Sequence, residues 1–376
     1  MTEDFFTTYL QQIEQQGNLR KIPSEPAEEL IDLSSNDYMS IASNRSFFEE
    51  FYNQCDKNGI YMSSSASRLL SQKQKDYDAL ECLLKDLYKK EILLFNSGYH
   101  ANTGTISAIA AGNTLIVADK LVHASIIDGI TLSRRDFLRF RHNDITHLRT
   151  ILSKKASEYD RIIVVAESIY SMDGDICDLN SLVALKEEYP NVILYVDEAH
   201  GFGVRGKYGL GIAEESGLIS QIDIIIGTFG KAAASTGAFT ATSATLKKFL
   251  TNKARSFIFS TALPPVSCLW TKFVVEKLTG MDKERKQLLD TSEYLNEKFS
   301  AYNGNIRSHS QIVPLITGSS NKAVALSKEL LKRGYIALPI RKPTVPEGTE
   351  RIRFSLNAKF RKEQAERLYA EIKDII

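Results

Sequence analysis

The chain has 376 residues, of which 43% are hydrophobic and 25% are charged, and its net charge is +1. This length predicts a large domain with a smaller one, and the composition excludes a collagen-like or disordered chain. Because the net charge is near zero, we expect no long-range attraction to nucleic acid or to an acidic membrane surface.

Short apolar segments alternate with helical patterns through the middle of the chain. Helical patterns include Asp78–Lys89 and Leu179–Glu188. The alternation predicts an α/β core with a mostly parallel sheet. The predicted strands are mostly apolar and β-branched on both faces, as buried parallel strands are: Ile92–Phe95, Thr114–Ala118, Ile162–Ala166, Val192–Val196, Ile222–Ile226 and Ala238–Ala241.

The pattern changes from about Leu263, and two long helical stretches cover Pro265–Phe299. Together with the later elements they predict a smaller α+β domain over residues 266–376, next to a large domain over residues 46–265. Residues 1–45 are poorly patterned, and we expect them to pack near the small domain. The later elements are three strands and two helices: Ile312–Thr317, Tyr335–Leu338, Ile352–Leu356, Lys322–Arg333 and Arg361–Ile376.

Cysteine and histidine spacing gives no sign of a disulfide framework or of a metal site. The four cysteines include no CxxC pair, and the six histidines lack metal-ligand spacing. The amino-terminal sequence has no basic region followed by an apolar core, and no apolar run is long enough to cross a bilayer. We therefore expect a cytoplasmic protein without a bound metal and without a membrane partner.

Two nucleotide-binding motifs are matched in their letters only. Gly201–Gly206 fits GxGxxG after a predicted strand, but the chain stays glycine-rich through Gly211 where a helix should open. Asp197–His200 reads DEAH, but a phosphate loop GxxxxGK[ST] is missing. The nearest candidate has Ile225 in place of its first glycine and Ala232 after its lysine. We therefore expect no nucleotide site.

Two charged residues follow predicted strands, where open α/β sheets bind their ligands. Asp197 follows Val192–Val196, and a carboxylate buried there needs a partner such as a pyridinium N–H, a helix N-terminus or a structural salt bridge. Lys231 follows Ile222–Ile226 among small residues. An amine there can lose solvation and attack an aldehyde, although an ordinary solvated lysine is the alternative.

A phosphate cradle is predicted beside them. Ser97–Asn102 follows the strand Ile92–Phe95 and opens a helix. Gly98 lets a phosphate approach the backbone, and the helix N-terminus supplies free N–H groups, while the hydroxyl of Thr228 can donate as well. A plain capped turn is the alternative for this segment. The order and spacing of the three signals together are more specific than any one of them.

The chain resembles the α-oxoamine synthases over nearly its whole length. These enzymes join an amino acid to an acyl thioester with loss of carbon dioxide. The resemblance implies a fold-type I pyridoxal-phosphate-dependent transferase, with a large, mostly parallel sheet domain and a smaller C-terminal α+β domain. It rests on ordered motifs: Ser35–Tyr38, Ser67–Ser71, Ser97–Asn102, Asp119, His123–Ser125, Asp128–Gly129, Ser171–Asp175, Asp197–His200, Gly227–Ala232, Arg255–Pro265, Pro343–Pro346 and Arg351–Arg353.

The resemblance also implies roles for the matched residues around the cofactor. Lys231 would hold pyridoxal 5'-phosphate as a Schiff base and would then remove the Cα proton of the amino acid. Asp197 would keep the ring nitrogen protonated, and His123 would stack on the ring. The other implied ligands are those of the phenolic oxygen, His200 and Ser171, and those of the phosphate, Gly98, Tyr99, Thr228 and, from a second subunit, Ser260.

The same resemblance implies how the substrates are bound. Arg353 would bind the carboxylate of the amino acid, for which a bidentate guanidinium is suited. Asn36, Arg20 and Thr344 would lie near the amino-acid and acyl ends. The acyl thioester would be carried by coenzyme A or by an acyl carrier protein, and a homodimer with shared active sites is implied.

Two segments, Ser34–Tyr38 and Ala66–Ser71, are most similar to the alanine-using, biotin-pathway members of the family. They imply L-alanine and a pimeloyl thioester as substrates. Three alternatives stay open: a member that uses glycine, serine or another acyl chain; an aminotransferase on the same fold; and a non-catalytic cofactor-binding subunit. The presence of Lys231 disfavours the last.

Several positions depart from the family pattern without removing a catalytic group. The added side chains stand where the backbone can need special dihedral angles, so they bear on the shape of the acyl channel. Departures from glycine are the run Ser63–Ala66 before Arg68, and Gln72, Ala234 and Ala238. Departures from histidine are Tyr77 and Phe360.

Overall fold

The structure is a computed structural model that describes residues 2–20, 22, 30–55 and 59–376. Residues 1, 21, 23–29 and 56–58, which belong to the predicted amino-terminal segment and large domain, lie outside the described residues. The strands are β1 Ile31–Asp32, β2 Glu91–Phe95, β3 Thr114–Asp119, β4 Asp136–Phe140, β5 Arg161–Glu167, β6 Val192–Asp197, β7 Ile224–Thr228, β8 Ala238–Thr242, β9 Ile312–Ile316, β10 Tyr335–Ile336, β11 Pro339–Ile340 and β12 Arg351–Ser355.

The helices alternate with these strands through the middle of the chain. They are α1 Thr2–Gln15, α2 Arg45–Gln54, α3 Lys75–Tyr88, α4 Gly98–Ile109, α5 Ala124–Ser133, α6 Ile145–Lys155, α7 Leu179–Glu188, α8 Ile212–Glu215, α9 Ala244–Lys253, α10 Arg255–Ile258, α11 Pro265–Leu278, α12 Asp282–Phe299, α13 Ser320–Lys332 and α14 Lys362–Lys373. Within the part of the chain that the structure describes, no helix has both the length and the apolarity needed to span a bilayer.

The chain forms two compact units. The first consists of Met1–Asn36, Ser171–Asp175 and Lys286–Ile376, and the second consists of Asp37–Tyr170 and Ile176–Arg285. The domain boundaries drawn from the sequence, after residues 45 and 265, stay a prediction.

Seven strands form one sheet in the second unit, in the order β2-β8-β7-β6-β5-β3-β4. The strands from β7 to β4 are parallel to their neighbours, whereas β8 is antiparallel to both β7 and β2. The mostly parallel α/β sheet that the sequence predicts is therefore confirmed. β4 was not predicted, and it lies at the edge of the sheet with four of its five residues exposed.

The core of the second unit lies where the sheet packs against its helices. Ile163 and Val165 on β5 are fully buried in one apolar cluster with Ile106 of α4 and Ile126 of α5. Burying such a side chain contributes about 1.5–3 kcal/mol, so these central strands are held firmly in position. Their carboxyl ends, where the polar residues begin, are rigid supports for a site.

The glycine-rich run after β6 is a series of turns built around Glu198. This carboxylate is fully buried, accepts from the backbone N–H of Ala213 at 2.7 Å, and is hydrogen bonded to Ser168 Oγ. A Cβ atom at Gly201 or Gly211 would overlap it, and Gly211 has a φ of +112°. No helix opens inside Gly201–Gly206, which agrees with the rejection of a dinucleotide motif.

The first unit contains a three-stranded antiparallel sheet in the order β11-β12-β9. A separate parallel pair joins β10 to the short strand β1, which was not predicted. Helices α13 and α14 belong to the same unit, and so does α12 from Lys286 onward. The predicted smaller α+β architecture near the carboxyl terminus is confirmed.

Candidate active site

The carboxyl ends of three neighbouring parallel strands carry polar residues in the second unit. β5 ends at Glu167, β6 at Asp197 and β7 at Thr228. Glu167 and Asp197 are direct partners in the strand register, so they lie side by side at the same edge of the sheet. This is the edge at which open α/β sheets bind ligands.

Asp197 is buried and accepts two hydrogen bonds. Its Oδ2 accepts from the Nδ2 of Asn102 at 2.8 Å, and its Oδ1 accepts from the backbone N–H of Ala199 at 2.8 Å. Both donors favour an ionised carboxylate, and each oxygen keeps lone pairs for a further donor. A carboxylate held in this way can keep a neighbouring heterocyclic nitrogen protonated.

Lys231 follows β7 and is half-buried. Its Nζ lies 2.9 Å from Nε2 of His200, and Nδ1 of the same ring lies 2.7 Å from the hydroxyl of Tyr38. The structure therefore brings two of the predicted site residues into direct contact and adds a tyrosine that was quoted in a motif without a role. An imidazole beside the amine can take its proton, which a nucleophilic lysine requires.

The turn that follows Lys231 contains one of the departures from glycine. Ala234 has a φ of +45°, and Ser65, in the departing run before Arg68, has a φ of +52°. Both angles lie in the left-handed region, where a side chain costs about 1–2 kcal/mol relative to glycine. The Nε1 of Trp270 donates to the Ala234 carbonyl at 3.0 Å and helps to hold this turn.

His123 is the N-cap of α5, and its Nδ1 accepts from the backbone N–H of Ser125 at 3.2 Å. Its own backbone N–H donates to Glu167 Oε1. Burial lowers the pKa of His123, against the opposing effect of the Asp197 charge. Burial, followed by the charge of Asp197, raises the pKa of Glu167 well above its usual value. The structure thus places an imidazole of lowered pKa, that of His123, and a buried carboxyl group, that of Glu167, near Asp197.

The predicted phosphate cradle lies at the start of α4. Ser97 caps this helix, and a Cβ atom at Gly98 would lie 3.5 Å from Thr228 Oγ1, so the two predicted ligands are adjacent. Tyr99 is exposed, and its hydroxyl is hydrogen bonded to Asp128. Ser260 Oγ accepts from the Nδ2 of Asn96 at 3.3 Å.

The remaining predicted site residues lie in the first unit, where they form two groups. Arg353 donates from Nη1 to Ser355 Oγ at 2.6 Å and to Asn36 Oδ1 at 3.2 Å, and from Nε to the Ser171 carbonyl. Arg20 donates to Thr344 Oγ1 at 2.9 Å. Asn36, Ser171 and Arg353 are thus brought together, and so are Arg20 and Thr344.

Sequence reasoning missed Glu167, and it gave no role to Asn102 or Ser125. A signal for Glu167 was present, since it follows an apolar strand just as Asp197 does. Asn102 and Ser125 lie inside quoted motifs, but their contacts with Asp197 and His123 depend on the folded chain.

The donor set of the second unit fits pyridoxal phosphate. A lysine amine can bind its aldehyde, the buried Asp197 its ring nitrogen, and the helix N-terminus at Gly98 its phosphate. A methyl group at Gly98 would take up part of the space beside Thr228. When bound, this cofactor withdraws electrons from the Cα atom of an amino acid.

The sheet and the site define the chain as a pyridoxal-phosphate enzyme of fold type I. In agreement, residues 28–372 match the family model of aminotransferase class I and II. The serine palmitoyltransferase of S. paucimobilis, solved with a bound PLP–myriocin aldimine, is 27% identical with a TM-score of 0.89, over 99% of this chain and 96% of that one.

Two further similarities identify the family to which the chain belongs within this class of enzymes. A Pasteurella multocida protein named "Putative 8-amino-7-oxononanoate synthase" is 48% identical over 92% of this chain and 90% of its own length. The structure of 8-amino-7-oxononanoate synthase from Francisella tularensis is 27% identical, with a TM-score of 0.77 over 92% of this chain and 98% of that one. The chain belongs to the α-oxoamine synthase family of pyridoxal-phosphate-dependent acyltransferases, and its cofactor is pyridoxal phosphate.

Proposed function

We propose that this enzyme condenses L-alanine with a pimeloyl thioester, giving 8-amino-7-oxononanoate, carbon dioxide and a free thiol, as a step of biotin biosynthesis. The observation that carries the proposal is the 48% identity, over nearly the full length, to a relative named for this product. The motifs Ser34–Tyr38 and Ala66–Ser71 support the same member of the family. Coenzyme A and a carrier protein are the two candidate donors of the acyl group.

Lys231 has two tasks in this proposal. It binds the aldehyde of the cofactor through Nζ, and it moves the proton at the Cα atom of the amino acid. The contact of 2.9 Å with His200 Nε2 supports both tasks, because the imidazole can accept a proton from the amine and return it. Asp197 keeps the ring nitrogen protonated, and its two N–H donors support an ionised carboxylate.

The other residues bind and orient. We assign His123 to the face of the ring, and His200 and Ser171 to its phenolic oxygen. Gly98, Tyr99 and Thr228 are assigned to the phosphate, with Ser260 supplied by a second subunit in a homodimer. These assignments are supported by the adjacency of Gly98 and Thr228, by the burial of Asp197 and by the position of His123 at the N-cap of α5.

Arg353 is assigned to the carboxylate of the amino acid. Its guanidinium is held by Ser355, Asn36 and the Ser171 carbonyl, so its orientation is fixed before a substrate arrives. The pair Arg20 and Thr344 is assigned to the acyl thioester. Both groups lie in the first unit.

A substrate panel tests the proposal. The enzyme loaded with pyridoxal phosphate is mixed with pimeloyl-CoA and with L-alanine, glycine or L-serine, and thiol release is followed with a chromogenic thiol reagent. Rapid release with L-alanine alone supports the proposal. Release with L-serine alone would favour the second candidate, a serine-using reaction, for which the TM-score of 0.89 to a serine palmitoyltransferase is the specific observation.

Two further outcomes have a defined meaning. Thiol release only from a pimeloyl carrier protein would assign the carrier and keep the reaction. No release with any donor, together with conversion of alanine into a keto acid, would replace the proposal with an aminotransferase. Sedimentation of the same samples tests the homodimer, which a fully active monomer would contradict.

A further inference from the structure

A chain of hydrogen bonds inside the second unit joins Asp197 to His123. The Nδ2 of Asn102 lies 2.8 Å from Asp197 Oδ2 and 2.9 Å from Ser125 Oγ. Ser125 Oγ in turn lies 2.8 Å from Nδ1 of His123. Asn102 is 2% exposed and Ser125 is 1% exposed, so the middle of this chain is sheltered from water.

The direction of each hydrogen bond follows from the chemistry of the groups. The Asp197 carboxylate only accepts, so the NH2 group of Asn102 must face it. The amide oxygen of Asn102 then faces Tyr195, whose hydroxyl donates to it at 2.6 Å. Since the second N–H of the amide points at Ser125 Oγ, the single O–H of Ser125 is left to donate to His123 Nδ1.

A second donor reaches the same nitrogen. The backbone N–H of Ser125 lies 3.2 Å from His123 Nδ1, so Nδ1 faces both the hydroxyl and the amide hydrogen. A nitrogen that accepts must carry a lone pair, which places the proton of the ring on Nε2. Protonating Nδ1 would deprive two buried donors of their acceptor, and this cost keeps the imidazole neutral.

We infer that Asn102 and Ser125 are positioning residues that hold His123 as the neutral tautomer protonated on Nε2, while Asn102 also holds Asp197 ionised. The inference rests on the proposed roles of His123 and Asp197. A neutral imidazole can lie on a ring whose nitrogen is protonated, whereas an imidazolium carries the same charge as that ring and would be repelled by it. The side-chain amide of Asn102 therefore favours a neutral imidazole at His123 and a charged carboxylate at Asp197.

The tautomer of His123 can be measured directly. The full-length enzyme carrying its cofactor is prepared with ¹⁵N-labelled histidine, which labels the rings of its six histidines. The His123 signals are assigned by their loss in the His123→Asn enzyme. In the wild type, we expect an unprotonated Nδ1 and a protonated Nε2. This measurement needs neither an amino acid nor a thioester, so a wrong substrate assignment would leave it unchanged.

Three variants test the positioning role. Ser125→Ala removes the hydroxyl donor, so the pKa of His123 rises, the acid limb of the pH–rate profile moves to higher pH, and kcat falls by up to about tenfold, the effect of one hydrogen bond. Asn102→Ala should also raise the pKa of His123 and move the acid limb of the pH–rate profile to higher pH. If this variant does not fold, Ser125→Ala alone tests the inference. Ser107→Ala, which removes a hydroxyl from the same helix as Asn102, is the control and should leave the His123 titration and the pH–rate profile unchanged.

Two results would overturn the inference. One is a wild-type His123 ring that is protonated on Nδ1, and the other is a Ser125→Ala enzyme in which His123 titrates as in the wild type.

Discussion

Nζ of Lys231 lies 2.9 Å from Nε2 of His200. The hydroxyl of Tyr38 lies 2.7 Å from the other nitrogen of that ring, so a phenol, an imidazole and an amine follow one another in a line. Each neighbouring pair can exchange a proton along a hydrogen bond. This arrangement gives the amine a proton acceptor within the site proposed for the cofactor.

Replacing Lys231 by alanine removes the amine that we propose binds the cofactor aldehyde. We expect the visible absorption band of the lysine-bound cofactor to disappear and turnover to be lost, because the alanine side chain has no amine to attack the aldehyde. The matched control is Lys248→Ala on the exposed face of α9, which should keep both. A Lys231→Ala enzyme that retains the band and the activity would show that another residue holds the cofactor.

Asp197→Asn tests the charge at the end of β6. A neutral amide cannot keep the ring nitrogen protonated, so we expect kcat to fall by at least about a hundredfold. Asp223→Asn is the control, since Asp223 immediately precedes β7 and pairs with Lys186 at 2.7 Å. Similar kcat values for the two variants would remove the special role of Asp197. The measurement is steady-state kinetics at saturating cofactor.

The stability of the enzyme should depend on the protonation of Glu198. Burial, partly offset by hydrogen bonds to Ser168 and to the N–H groups of Ala213 and Ile212, raises the pKa of Glu198 from 4.5 to about 7. The native state therefore keeps a proton that the unfolded state loses between these values, so the free energy of unfolding decreases as the pH rises from 4.5 to about 7. The expected contribution is about 3 kcal/mol.

The glutamine side chain in Glu198→Gln is neutral at every pH. The free energy of unfolding of this variant should therefore lack the pH-dependent contribution of Glu198, whether or not the variant is more stable than the wild type. Urea unfolding at a series of pH values gives the comparison. The control is Glu187→Gln, which replaces an exposed glutamate on α7. Its free energy of unfolding should depend on pH as that of the wild type does. If the free energy of unfolding changes with pH in the same way for the wild type and for Glu198→Gln, Glu198 is already ionised in the native state.

Arg353→Lys separates the fork of the guanidinium from its charge. Lysine cannot reproduce the bonds to Ser355 and Asn36 together with a bidentate contact to a carboxylate, so we expect KM for the amino acid to rise by about tenfold or more. The absorption band of the cofactor should be unchanged. Arg367→Lys, on the exposed face of α14, is the control. An unchanged KM would place the substrate carboxylate elsewhere.

The large sheet was predictable because its central strands are apolar on both faces. Predicted strand ends agree with β5, β6 and β7 to within two residues. β4 escaped prediction because Asp136–Phe140 lies at the sheet edge and has four exposed residues, so it lacks the apolar pattern of a buried strand. β1 is only two residues long and depends on a parallel partner more than 300 positions away, at Tyr335.

The site was predictable as far as each residue follows a strand or belongs to a motif. Asp197 and Lys231 were found in this way, and the same rule applies to Glu167, which follows β5. The contact between Asn102 and Asp197 joins residues 95 positions apart and depends on how α4 packs beside β6. No local pattern specifies that packing, so the tautomer of His123 could be argued only from the folded chain.

Asp197 and Glu198 are adjacent in sequence, yet the first belongs to the site and the second to the turns around Gly201 and Gly211. In evolutionary terms, selection on the reaction should constrain Asp197, whereas selection on folding should constrain Glu198. Substitutions at position 198 should be accompanied by changes at 201 and 211 in related chains, independently of which amino acid the enzyme consumes. Substrate preference can therefore diverge in this family while the Glu198 turns are inherited as a unit.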